Sequence, residues 1–261
     1  MRRTYLLIGW SVIIVLLSWQ LWHYGKYVSA TVIEEVDLEA TAVVNVAFLA
    51  GLVALGLAVF QDKKFALISA AIISLSFLIF FGITPLNLLG VLLVFLLHYI
   101  AIANVKRDMA RTELDLFHTL RVGTFRVVLG IFFLISFAAY QAPNIQNFKD
   151  ASSLPSGFSL YFEKAAEYTA GDQIPAGGKE KEIAKKQIGQ EAFRRMNLFI
   201  QPYFQYAPPI VSFALFIILL GLSWIFVWAG AGIALGVFWV LRQVKLVKVE
   251  KMETEAEVVR I

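Results

Sequence analysis

An all-α, multi-pass membrane fold is predicted by three observations: an apolar composition, long charge-free runs, and a one-sided placement of Lys and Arg. The 261 residues are 59% hydrophobic, 14% aromatic and only 16% charged, with a mean hydropathy of +0.72. An ordinary soluble domain carries about 25% charged residues. Uncharged runs of about 18 or more residues match the length that crosses a hydrocarbon core roughly 30 Å thick. Helices follow, because lipid satisfies no open backbone group.

Five spans are read in order at residues 5–24, 41–60, 65–83, 86–104 and 125–141. The second, "ATAVVNVAFLAGLVALGLAVF", contains no charge at all. With the N-terminus cytoplasmic, Arg2, Arg3, Lys63, Lys64, Lys106, Arg107, Arg111, Arg121 and Arg126 fall inside. The short outer connections hold only Lys26. That bias sets the orientation, because basic residues remain on the cytoplasmic side. Trp19, Trp22 and Tyr24 suit an outer aromatic belt.

The last apolar region, 208–242, begins after Pro208 and Pro209. It exceeds the length of one straight span. Arg242, Lys245, Lys248, Lys251 and Arg260 follow it and favour a cytoplasmic C-terminus, hence about six spans with a long or broken final helix. Seven spans are the alternative, because Trp224 and Trp228 would reach an interface if a tight hairpin formed near Gly230. The first span also has a basic start and a "VSA" at 28–30 that resembles a signal-peptide cleavage site. Its apolar core is longer than the 7 to 15 residues of a signal core, which favours retention.

The domain plan is therefore a five-span region at 1–141, an extracytoplasmic amphipathic helical loop at 142–207, a final span at 208–242 and a cytoplasmic charged tail at 243–261. In the loop, "FSLYFEKAAEY" places Phe158, Tyr161, Phe162, Ala165 and Tyr168 on one helical face, opposite Glu163, Lys164 and Glu167. Residues 179–200 repeat the pattern with Ala184, Ile188, Ala192, Met196 and Phe199 along one face. Their nine charges between Lys179 and Arg195 forbid insertion, at about 2.5 kcal/mol or more for each. Two short amphipathic helices need another surface, such as lipid headgroups, the tops of the spans or an envelope protein.

Chemistry is sparse. The absence of cysteine removes disulfides and thiolate catalysis. No catalytic, phosphate-binding or metal-ligating motif occurs, and no cofactor, metal or nucleic-acid partner is expected. His98, Asn45 and Asn87 are the candidate polar groups inside the membrane. Hydrogen bonding to a neighbouring helix is the plain reading, and a solute path is the functional one. Asp115, His118 and Arg121 fall on adjacent turns of the inner connection, read as a solvated interfacial face. Gly232 and Gly236 form a GxxxG pair, and Ala50, Ala54 and Ala58 repeat that spacing. Both suit close helix packing within the chain, with a homo-oligomer face as the alternative.

The leading expectation is a cell-membrane protein without catalytic activity, whose outer helical cap contacts lipid or an envelope partner. A transporter or channel for an apolar or lipid-like solute is the runner-up, and a lipid-modifying enzyme using Asp115 and His118 the third reading.

Overall fold

The computed structural model describes residues 2–30, 40–110, 115–150, 164 and 179–247. Among the described residues every regular element is helical. Among the described residues, seven helical segments are long and apolar enough to cross a membrane. The chain thus has the all-α, multi-pass architecture that its composition predicts.

The chain divides into two compact units, Met1–Ala142 with Ser212–Ile261, and Pro143–Val211. The first unit is a helical bundle. Its helices are α1 (Arg2–Ala30), α2 (Ala40–Phe60), α3 (Lys63–Phe81), α4 (Pro85–Met109) and α5 (Leu116–Gln141). The second unit contains a four-residue turn of helix, α6 (Pro143–Gln146), a 3-10 turn at Asn147–Asp150, the long helix α7 (Lys179–Ile200) and a 3-10 turn at Gln201–Tyr206. Helix α8 (Ala207–Gly221) leads to α9 (Ser223–Gln243), which belongs to the bundle.

Helix α2 lies at the centre of the bundle, against α1, α3, α4, α5 and α9. Its sequence explains the position. Ala47, Ala50, Ala54 and Ala58 are all buried, and side chains this small let neighbouring backbones approach where lipid provides no hydrophobic drive. Gly51 meets Gly230 of α9 so closely that a Cβ on Gly51 would overlap the Gly230 carbonyl oxygen. A Cβ on Gly230 would in turn fall 2.8 Å from Thr124 Cγ2 and 2.9 Å from the Ala47 carbonyl. One turn further along α2, Gly56 leaves the space that the Phe65 ring and the Trp10 indole fill.

The connections are short. Asp62 caps α3 by accepting a hydrogen bond from the Lys64 amide at 2.9 Å. Gly82 has φ +79° at the opposite end, a conformation that side chains disfavour. Thr84 then caps α4 and Pro85 opens its first turn. Asp115 caps α5 by accepting from the His118 amide.

Four details differ from the sequence reading. First, α5 starts at Leu116, well before residue 125, because a backbone helix continues through Arg121 and Arg126, whose long side chains can carry charge away from the axis. Second, Trp22 is no belt residue. It is 1% exposed and donates its indole N–H to the Ile73 carbonyl at 3.2 Å, whereas Trp19 is exposed. Third, Gly230 lies inside continuous α9, so no hairpin forms there. The helical run is interrupted at Leu222 alone, which stays in the right-handed region at φ −86°, ψ −3°. Antiparallel helix pairs need loops of 2–5 residues, so α8 and α9 form one broken helical run. Fourth, a Cβ added to Gly232 or Gly236 would meet no described neighbour within 4 Å. Close packing within the chain falls to Gly230, while the Ala50, Ala54 and Ala58 stripe does pack inside.

Candidate functional site

Helix α7 is the most polar of the long helices, and its charges hold its local geometry. Glu191 accepts from Arg194 Nε at 2.9 Å and Arg194 Nη2 at 3.1 Å, and from Arg195 Nε at 2.9 Å. Hydrogen bonding from Arg194, then from Arg195, holds the Glu191 carboxyl down at about 2 from an ordinary 4.5. The same bonds raise Arg194. Spacings of three and four residues place these groups on one side of a helix, which is why they meet.

At 100° per residue, Ile188, Ala192, Met196 and Phe199 fall within an arc of about 80°. All four are exposed, with Phe199 at 69%. The adjacent arc carries Gly189, Phe193 and Ile200, which are buried or half-buried. The apolar face of α7 is therefore wider than the predicted stripe, and only the half beside that stripe is covered. The following 3-10 turn buries Phe204 and exposes Tyr203 and Tyr206. From Met196 to Gly221 the sequence carries no charge. Phe158, Tyr161, Phe162, Ala165 and Tyr168, the other helical face expected to contact lipid or a partner, lie outside the described residues.

The three intramembrane polar candidates are all buried, in separate settings. Asn87 belongs to a polar knot. Its Nδ2 donates to the Gly82 carbonyl at 2.8 Å and the Phe81 carbonyl at 3.2 Å, and its Oδ1 accepts from Gln141 Nε2. Gln141 Oε1 also accepts from the Thr84 hydroxyl at 3.4 Å. The knot ties the α3–α4 turn to the end of α5, and its groups are occupied in bonding one another. Asn45 donates to the Leu17 carbonyl of α1 at 3.4 Å, leaving Oδ1 without a protein partner. His98 Nδ1 lies 2.9 Å from the Val94 carbonyl one turn earlier, and Nε2 has no protein partner.

Two apolar grooves occur in the bundle, one of about 420 Å³ between α3 and α4 against Ile72, Leu75, Val91 and Phe95, the other of about 280 Å³ along α1. Neither is lined by His98, Asn45 or Asn87. Asp115 and His118 are joined by the helix cap and line neither groove. Among the described residues no three His, Asp or Glu side chains gather as a metal site would require.

Sequence reasoning missed Trp10, Thr84, Asp108, Thr124 and Gln141. Asp108, in the last turn of α4, is 3% exposed. Thr84 before Pro85 was a readable start signal for a helix. Trp10 and Trp22 carried no such signal, because an indole serves a lipid interface and a buried carbonyl equally well. No protein-family model, no curated protein and no solved structure matches this chain.

Proposed function

We propose that this chain is a multi-pass protein of the cell membrane without catalytic activity, whose loop 142–207 lies outside the cytoplasm and presents α7 to the lipid surface. Both termini then face the cytoplasm. The carrying observation is the exposed arc of Ile188, Ala192, Met196 and Phe199 on a helix with nine charged residues, which also exposes Ile183 and Leu198 outside that arc. Water alone would select polar residues there, whereas a helix lying in the headgroup region needs an apolar side and a charged side. Tyr203 and Tyr206 extend the exposed surface toward uncharged α8, in keeping with aromatic enrichment at interfaces.

The natural chain has no cysteine, so a single label can be placed by substitution. With a fluorophore on Phe199→Cys or Arg194→Cys in liposomes, nitroxide lipids quench the first and aqueous quenchers the second. Aqueous quenching of both, with no lipid quenching, removes the reading. A reporter fused after Gln146 tests the side of the membrane, and cytoplasmic activity there overturns the assignment.

Transport of an apolar or lipid-like solute is the second reading. It draws on the buried His98 Nε2 and Asn45 Oδ1, which have no protein partner. Its test is flux into proteoliposomes with His98→Ala and Asn45→Ala, where absent or unaltered flux counts against it.

A further inference from the structure

The register of α7 that holds the exposed Ile188, Ala192, Met196 and Phe199 changes chemistry toward the start of the helix. Counted at 100° per residue, Lys181 and Lys185 fall in the same register as Ile188, Ala192, Met196 and Phe199. The arc thus begins basic and ends aromatic. Over the whole helix six basic residues stand against three acidic ones. One of the acids, Glu191, is engaged by Arg194 and by Arg195, the latter at the edge of the arc beside Ile188.

The order of this gradient identifies an occupant. The aromatic end leads directly through Gln201–Tyr206 into α8, whose fifteen residues carry no charge. The basic end is the one farther along the chain from that apolar helix. A bilayer offers the same sequence of environments to a tilted helix, with acyl chains deepest and phosphates above them. Lysine stems lie along apolar surface while their ammonium groups reach outward. Anionic headgroups add attraction for each such charge within a Debye length.

We propose that α7 recognises anionic lipid headgroups through Lys181 and Lys185, with Met196 and Phe199 seated at the boundary between headgroups and acyl chains. This rests on the reading that α7 faces the bilayer, and adds to it a preference for one class of lipid.

The test uses the full chain labelled at Ala192→Cys, in liposomes of phosphatidylcholine alone or mixed with phosphatidylglycerol. Quenching by nitroxide lipids reports the docked fraction. The docked-to-undocked ratio should rise in the anionic membrane and fall back with added salt. Lys181→Gln with Lys185→Gln should reduce the anionic preference about thirtyfold, and the paired Arg variants should retain it. Equal quenching in both membranes, or an unchanged preference in the Gln pair, overturns the anionic proposal and leaves bilayer contact standing. Absence of lipid quenching in either membrane overturns both. Photo-crosslinking from residue 192 into a protein, in place of lipid, also overturns the proposal.

Discussion

The carbonyl oxygen of Gly230 occupies the space that a side chain on Gly51 would need. This contact joins the central helix to the last one, and it involves backbone on both sides, so no rotamer change can relieve an added methyl group. Gly230→Ala should cost about 1–3 kcal/mol, the range for forced overpacking. Gly51→Ala should cost at least as much. Gly232→Ala and Gly236→Ala, whose added Cβ would meet no described neighbour within 4 Å, should leave thermal stability in detergent unchanged. A loss of stability for Gly236→Ala equal to that for Gly230→Ala would refute this account of the crossing.

The two buried indoles make a second comparison. Trp10 donates to the Leu52 carbonyl at 2.9 Å, and Trp22 to the Ile73 carbonyl at 3.2 Å. Replacement by Phe keeps an aromatic ring and removes the donor, so each should destabilise by about 0.5–1.5 kcal/mol. Exposed Trp19 should tolerate the same change. Steric-trapping measurements of unfolding in bicelles would separate the three.

The knot at Thr84, Asn87 and Gln141 predicts a larger effect. Gln141→Leu removes a donor from buried Asn87 and an acceptor from the Thr84 hydroxyl. Leaving such groups unsatisfied costs about 1–3 kcal/mol. Hydrogen exchange should speed up first at the C-terminal turn of α5. Unaltered protection there would show that the knot holds nothing in place.

His98 offers the opposite sign. Its Nε2 is buried without a protein partner, and an unsatisfied buried polar atom carries a desolvation cost of about 1–3 kcal/mol that an apolar side chain avoids, against about 1 kcal/mol for the lost Nδ1 contact to the Val94 carbonyl. His98→Leu should therefore match or exceed the natural chain in thermal stability. A marked loss would reveal a bond to Nε2 that the packing alone does not provide.

On α7 the direction of the Glu191 shift fixes a pH window. Its carboxyl is held down at about 2, so the contribution of its ion pairs is complete above about 4.5 and disappears as pH falls toward 2. Carbon-13 detection of the Glu191 carboxyl should place its midpoint well below that of a free glutamate. Arg194→Gln with Arg195→Gln should return it toward the ordinary range.

Much of the bundle was legible because solvation acts on whole segments. A charge-free run such as residues 41–60 has one low-energy environment, and the observed α2 begins only one residue earlier. The start of α5 was misread for the same reason. Absence of charge marks where lipid lies, whereas a helix ends where caps and backbone conformation end it, here at Asp115. Pairing between helices was not legible at all. Gly232 and Gly236 have the spacing of a packing motif, yet Gly230 makes the contact, since spacing gives a face without saying which neighbour it meets. On α7, periodicity found the apolar arc but not which half would be covered, because spacing alone places residues on a face without saying what packs there.

No residue of α5 from Leu116 to Gln141 is exposed, and part of its cover is made from late sequence. Phe132 packs on Phe226, Phe133 on Phe216, and both Phe117 and Arg121 on Trp228. A ribosome therefore delivers α5 long before the side chains that enclose it. Throughout that interval Gly51 and the Thr124 methyl group lack the Gly230 backbone that packs against them. A nascent polypeptide arrested ahead of Ser223 is accordingly an unfinished core with an open seam, which makes the last helix the step that completes biosynthesis of the bundle.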